Sequence, residues 1–163
     1  LDAIRRLIFK NRISIALSFV ETKKEIEIIR SEGIDVISKI ENEKGIENLE
    51  EIIKSSQGIM VARGDLGIHA DYRKIFSYEK YIIGKAKKMN RECYVATDIL
   101  DTLENRFLPS RADLIDIYQI KSMQPNGLIL NYRQIKNRTL DRAIKIICEM
   151  EECTENENIT TNY

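Results

Sequence analysis

The sequence lacks an excess of charge of either sign and any apolar run long enough to span a membrane. Its 163 residues carry 26 Lys and Arg against 26 Asp and Glu, a formal net charge of +0. Without a basic field, we expect no binding to nucleic acid or to an anionic membrane surface. Without roughly 20 consecutive apolar residues, we expect no transmembrane helix. A hydrophobic fraction of 43% still allows one packed domain, or a large piece of one.

Cysteine and histidine are also scarce. Cys93, Cys148 and Cys153 follow no metal-binding or disulfide spacing, which favours free thiols in a reducing compartment such as the cytoplasm. No charged segment followed by an apolar stretch indicates a secretory signal, although an organelle stays open. The single histidine, His69, is predicted in a loop, where a solvated side chain is the simpler interpretation and a general acid the alternative.

Short β-prone runs alternate with amphipathic segments at the spacing of βα units, which predicts an α/β fold with a parallel sheet. The predicted strands are Ile13–Val20, Ile34–Ile40, Gly58–Ala62, Cys93–Thr97 and Gly127–Leu130. The predicted helices are Glu21–Arg30, a segment capped by Asn48 and ending at Ser56, Tyr72–Met89, Asp98–Asn105, Ser110–Met123 and Leu140–Met150. Residues 1–150 are thus expected to form one domain, and the polar residues 151–163 a disordered tail.

Charged and polar residues cluster where these strands should end. Glu41 and Asp65 follow neighbouring strands, and two such carboxylates can hold one Mg²⁺ while leaving coordination sites for a substrate. Lys39 has the same strand parity as Glu41, so both side chains should point to one side. With Gly64 in a glycine-lined turn and Thr97 after another strand, the set suits a reaction that develops oxyanion charge.

Ordinary structural roles compete with these functional ones. Exposed loop positions are the usual place for carboxylates such as Glu41 and Asp65, but their coincidence at strand ends favours a metal site. Lys39 within an apolar strand needs a charged partner, which favours function. From the residues alone, Thr97 is better explained as a β-branched strand residue, and Arg111 is balanced between structure and function.

Several segments resemble the pyruvate kinase family. They are Ile15–Val20, Ser38-Lys39-Ile40-Glu41-Asn42 with Gly45 and Asn48–Ile52, Gly58–Gly67, Glu79-Lys80, Ile82-Ile83, Val95-Ala96-Thr97 and Pro109–Asp113. The run Gly58–Gly67 is similar to the family signature at nearly every position. The resemblance covers about Ile13 to Glu151 and is most specific up to Thr97.

The resemblance implies a (β/α)₈ TIM-barrel domain, with about five of the eight βα units present in this chain. It implies phosphoryl transfer from phosphoenolpyruvate to ADP, giving pyruvate and ATP. Glu41 and Asp65 would hold Mg²⁺ or Mn²⁺, and Lys39 and Thr97 would be catalytic. Gly64 and Asp65 would bind the substrate together with Lys39 and Thr97. A K⁺ site in the missing N-terminal part and a homo-oligomer at full length are also implied.

The chain departs from the family pattern at three places. Asp98 stands where the family has Gln, the segment Ile129–Gln134 replaces its Met-Leu-Ser-Gly-Glu-Thr, and His69-Ala70-Asp71 replaces an acidic residue and proline. Two alternatives therefore stay open beside pyruvate kinase. One is a Mg²⁺-enolate lyase or aldolase acting on oxo-acids, and the other is an impaired paralogue that serves as a binding or regulatory subunit.

Overall fold

The computed structural model describes residues 14–131 and 139–160, with side chains through residue 153. The chain divides into two compact units, Leu1–Val95 and Ala96–Tyr163. Along the described ranges, five strands alternate with seven α-helices, which confirms the predicted α/β class. Within those ranges, no helix combines the length and the apolar character needed to cross a bilayer.

The first unit contains four strands that lie side by side in the order β1–β2–β3–β4. Its elements are β1 (Ile15–Leu17), α1 (Lys23–Arg30), β2 (Val36–Ile40), α2 (Glu43–Glu47), α3 (Leu49–Ser55), β3 (Gly58–Ala62), α4 (Arg63–His69), a 3₁₀ helix (Tyr72–Lys74), α5 (Ile75–Lys88) and β4 (Glu92–Ala96). The pairs β1–β2 and β2–β3 are parallel, with Leu17 opposite Ser38 and Ile40 opposite Val61. Their carboxyl ends therefore meet at one edge of the sheet.

The strands of this unit are rich in apolar residues because many of their side chains are buried in its core. Every residue of β3 is buried, as expected for a parallel strand whose two faces are both packed. Ile26 of α1, Leu49 of α3 and Ile82 of α5 are fully buried beside the sheet. Each such side chain contributes roughly 1.5–3 kcal/mol to folding. The buried sheet is thus a rigid base for the residues that follow its strands.

The second unit contains a 3₁₀ helix (Asp101–Glu104), α6 (Arg111–Met123), β5 (Gly127–Ile129) and α7 (Leu140–Thr160). Ser110 caps α6: its Oγ accepts the Asp113 N–H, and the Asp113 carboxylate accepts the Ser110 N–H. Burial alone would raise the pKa of Asp113, but hydrogen bonds from Thr102 and Ser110 hold it below its ordinary value. Helix α6 therefore begins after Pro109, within one residue of the predicted start at Ser110.

Several element bounds differ from the expectation, and Asp101–Glu104 forms a 3₁₀ helix where a helix over Asp98–Asn105 was predicted. The helix predicted after Asn48 is α3, which Asn48 directly precedes without forming a side-chain cap. A further helix, α2, begins after Asn42, whose side chain accepts the Gly45 N–H. Asn48 instead donates its side-chain amide to the Glu21 carbonyl. The backbone of residues 151–160, expected to be a disordered tail, continues α7, and Glu151 pairs with Lys121 at 2.5 Å. The predicted strand residue Ile13 lies outside the described residues.

Two helical glycines give a matched test of how tightly the first unit is packed. A Cβ on Gly45 would lie 2.8 Å from the Val20 carbonyl oxygen, whereas a Cβ on Gly84 would meet no atom within 4 Å. We expect Gly45→Ala to destabilise the protein by about 1–3 kcal/mol through this clash. We expect Gly84→Ala to be neutral or up to about 1 kcal/mol stabilising. Urea unfolding midpoints check this, and equal effects of the two changes would contradict it.

Candidate functional site

Lys39 and Glu41 form an ion pair at the carboxyl end of β2. Lys39 Nζ lies 2.7 Å from Glu41 Oε1, and the lysine side chain is 23% exposed while the glutamate side chain is fully buried. Their contact confirms that the two side chains share one side of the strand. Lys39 Nζ also donates to Ser18 Oγ at 3.0 Å, because the parallel register brings the end of β1 level with Lys39. The ammonium group is therefore held between two strand ends.

Glu41 directly follows the last residue of β2, as predicted, and its second carboxylate oxygen accepts the backbone N–H of Phe19. Phe19 has φ 52°, a left-handed conformation that is uncommon for a residue with a side chain. This conformation directs the Phe19 N–H toward the Glu41 carboxylate. Such locally unfavourable conformations persist where the surrounding structure requires them, and they concentrate at functional sites.

Gly64 and Asp65 lie in the first turn of α4, and both are partly buried. The sequence predicted a glycine-lined turn here, and that prediction was wrong. The helix begins at Arg63, one residue after β3, because the fully buried Leu66 anchors it to the core. Since Ile40 pairs with Val61, Glu41 is level with Ala62, and Asp65 follows three residues further along the chain. The two carboxylates thus come from adjacent strand ends.

The donor set of this edge fits a hard divalent cation. Glu41 Oε1 is buried and, among the described residues, receives no well-directed hydrogen bond, although Lys39 is in ionic contact with it. An anionic oxygen in that state is available to a cation, and carboxylates are the ligands that Mg²⁺ prefers. No group of three or more His, Cys, Asp and Glu side chains suited to a metal occurs in the part of the chain that the structure describes. Two protein carboxylates leave the other coordination positions to water or substrate.

Thr97 belongs to the second unit, directly after β4. Its hydroxyl donates to the Ala96 carbonyl oxygen at 2.6 Å, and its φ is 70°. Asp98 and Leu100 also have positive φ values, 54° and 56°. A positive φ is a marked outlier for a β-branched residue. Thr97 is therefore a turn residue, whereas the sequence predicted it as the last residue of a strand.

His69 was expected in a loop, and it is instead the last residue of α4. Its ring packs edge-on against the Phe19 ring, with 5.2 Å between the ring centroids and an interplanar angle of 80°. His69 is exposed, so it lies over the turn that holds Glu41 without entering the buried pair. Arg111, also singled out from the sequence, is exposed at the first residue of α6.

Sequence reasoning missed three contributors to the site. Ser18 and Phe19 were predicted within the strand Ile13–Val20, whereas the structure ends β1 at Leu17 and places both residues directly after it. Arg63 was part of the signature, but its partner Glu79 on α5 is 16 residues away, and no spacing rule joins the two. All three contacts depend on the register of the parallel strands or on the packing of a helix.

Comparisons with known proteins identify related sequences. The sequence pattern of the family described as pyruvate kinase, barrel domain, matches residues 3–120. Pyruvate kinase of Methanocaldococcus jannaschii is 41% identical over 139 residues, which are 82% of this chain and 31% of that protein. Pyruvate kinase of Thermotoga maritima is 38% identical over 141 residues, 83% of this chain and 30% of that protein. Pyruvate kinase of Thermoplasma acidophilum is 34% identical over 146 residues, which are 86% of this chain and 27% of that protein.

The fold and these matches define part of a (β/α)₈ barrel domain. The chain belongs to the pyruvate kinase family. It spans less than a third of the length of the three relatives named above. The described ranges contain five strands, against eight in a complete barrel.

Proposed function

We propose that this chain contributes catalytic residues to a glycolytic pyruvate kinase, which transfers a phosphoryl group from phosphoenolpyruvate to ADP. The observation that carries the proposal is the buried Glu41 carboxylate, 2.7 Å from the Lys39 ammonium group at the end of β2. Active sites of β/α barrels lie at the carboxyl ends of the strands. Family membership supports the same reaction.

In the proposed reaction, the phosphoryl group leaves the enol oxygen of phosphoenolpyruvate and joins the terminal phosphate oxygen of ADP. The enolate that remains then takes up a proton at carbon and becomes pyruvate. Charge on the transferring group and on the enolate oxygen must be balanced, and in phosphoryl transfer the protein mainly positions groups and supplies charge. Lys39 supplies a positive charge that Ser18 and Glu41 hold in one orientation.

Glu41 and Asp65 are the proposed ligands of Mg²⁺ or Mn²⁺. When bound, the cation supplies positive charge that neutralises the oxygens of the phosphoryl group and the enolate. The Phe19 N–H fixes the orientation of Glu41, and the buried Leu66 fixes the turn that carries Asp65. Both carboxylates are thus positioned by the protein before a cation arrives.

The remaining roles follow the family and stay proposals. The backbone around Gly64 and Asp65 would bind the substrate carboxylate, and the Thr97 hydroxyl would lie near the carbon that is protonated. A K⁺ site and further nucleotide contacts would come from parts of the barrel outside this chain. A homo-oligomeric protein in the cytoplasm is the proposed setting.

The altered residues give the competing functions a specific basis. Asn131 donates to Asp101 at 2.8 Å, so a residue of the divergent segment takes part in a hydrogen bond within the second unit. Asp98 adds a negative charge directly after Thr97, which would oppose an anionic substrate. A lyase acting on oxo-acids, or a subunit without turnover, would be the conclusion if kinase activity were absent.

We test the proposal by measuring pyruvate formation from phosphoenolpyruvate and ADP by the full-length native chain, with and without Mg²⁺. We expect turnover that requires the cation. Asp65→Asn should lower turnover about 100-fold, because it removes one charged group at the reacting centre. Asp141→Asn, at an exposed position in α7, is the matched control and should leave turnover unchanged. Undiminished turnover in Asp65→Asn would contradict the proposal.

A further inference from the structure

We infer that Glu79 is a positioning residue, which acts through Arg63 to hold the first turn of α4 and therefore Asp65. The inference rests on the proposed function, since it concerns the proposed ligand Asp65. Arg63 is the first residue of α4 and directly precedes Gly64. Glu79 lies on the neighbouring helix α5. The ion pair thus joins the proposed site to an element that contributes no residue to it.

The pair is buried and long. Arg63 Nη1 and Glu79 Oε1 are 3.9 Å apart, and the two side chains are 8% and 4% exposed. In a buried environment, charges at this separation interact much more strongly than on the surface, because water does not screen them. The two side chains are therefore coupled electrostatically.

Helix α4 is short. The residue before the helix, Ala62, offers no side-chain cap, and the helix is seven residues long with glycine at its second and fifth positions. Leu66 anchors the inner side of the helix, while Arg63 is the charged residue at its start. A short helix with two glycines depends on such contacts, because glycine disfavours the helical conformation.

The negative charge of Glu79 also affects a third buried side chain, the thiol of Cys93. Burial, and secondarily the negative charge of Glu79, raise the pKa of the Cys93 thiol to about 12. Cys93 is fully buried on β4, and Glu79 is itself buried, so its carboxylate lies in surroundings that exclude water. A carboxylate in such a setting requires a cationic partner, and Arg63 meets that requirement.

The test measures Mn²⁺ binding by the full-length native chain, using the electron paramagnetic resonance signal of free Mn²⁺, together with pyruvate formation. We expect Glu79→Gln to weaken Mn²⁺ binding about 10-fold or more, as loss of groups that orient metal ligands commonly does. The Michaelis constant for phosphoenolpyruvate should rise more than kcat falls. Glu27→Gln, at an exposed helical position, is the matched control and should change neither quantity.

Two further variants separate positioning from general stability. Glu79→Asp keeps the charge and should recover part of the Mn²⁺ affinity. Arg63→Met combined with Glu79→Met removes both charges, and apolar pairs commonly replace buried ion pairs without loss of stability. We expect this double variant to unfold near the wild-type temperature and still bind Mn²⁺ weakly. Wild-type Mn²⁺ affinity in the double variant or in Glu79→Gln would overturn the inference.

The two proposals can fail separately. A wild-type protein that binds Mn²⁺ but forms no pyruvate overturns the proposed function, while the Glu79 variants still report on the positioning of Asp65. A wild-type protein that forms pyruvate, with Glu79→Gln matching it in Mn²⁺ affinity and Michaelis constant, overturns the positioning role alone. Absence of Mn²⁺ binding in the wild type overturns the positioning role, because no cation site would then depend on Asp65.

Discussion

Glu41→Gln is expected to lower pyruvate formation about 10³-fold, which corresponds to about 4 kcal/mol of lost transition-state stabilisation. The carboxylate is the buried member of the proposed cation site, and its amide replacement carries no negative charge. The Phe19 N–H can still donate to the amide oxygen, so the turn after β1 should stay in place. We therefore expect a folded protein with weakened Mn²⁺ binding and little turnover.

The measurement compares steady-state turnover and Mn²⁺ affinity in the wild type, Glu41→Gln and Glu47→Gln. Glu47 is exposed on α2, so its substitution changes net charge equally without touching the site. If Glu41→Gln and Glu47→Gln were equally active, Glu41 would not be a metal ligand. If Glu41→Gln lost turnover but kept full Mn²⁺ affinity, its role would lie in orienting Lys39.

Much of the first unit could be predicted because its central strands carry buried apolar residues, and every residue of β3 is buried. The strand Gly58–Ala62 was predicted with the bounds that the structure gives it. Its limits are clear in the sequence because a predicted helix precedes the apolar stretch and a charged, glycine-containing segment follows it. Helix starts were predicted less well. Asn42 and Asn48 are both plausible caps, and only the position of Glu21 decides that Asn48 bonds elsewhere.

The part of the site that lies on one strand was predictable from the alternation of side chains along a strand. Lys39 and Glu41 are two residues apart in a strand, so their contact follows from local geometry. The helix at Arg63 was missed because two glycines within seven residues argue against a helix, and tertiary anchoring by Leu66 outweighs that preference. The hydrogen bond from Phe19 to Glu41 depends on the left-handed conformation of Phe19, which no sequence pattern predicts.

The proposed site therefore combines local and long-range restraints. Lys39 and Glu41 are held at the carboxyl end of β2, whose alternate residues are buried. Asp65 is held by a short helix whose position depends on Leu66 and on the pair of Arg63 with Glu79. Substitutions far from the sheet edge should therefore affect Asp65 more readily than they affect Glu41.

Lys39→Met is expected to reduce turnover by about 10³-fold or more, because it removes a positive charge from the proposed reacting centre. It should also destabilise the protein by about 3 kcal/mol, since it leaves the buried Glu41 carboxylate without its cationic partner. Added Mn²⁺ should restore part of the stability by pairing with Glu41. Steady-state kinetics and thermal unfolding with and without Mn²⁺ measure these effects.

Loss of stability alone could also reduce turnover, and a double variant separates the two causes. Lys39→Met combined with Glu41→Gln removes both charges, so it should unfold closer to the wild-type temperature than Lys39→Met does. Turnover should stay low, because neither the ammonium group nor the carboxylate is present. Lys24→Met, at an exposed position in α1, controls for the loss of a lysine. Recovery of turnover in the double variant would show that the ion pair serves stability and takes no part in the chemistry.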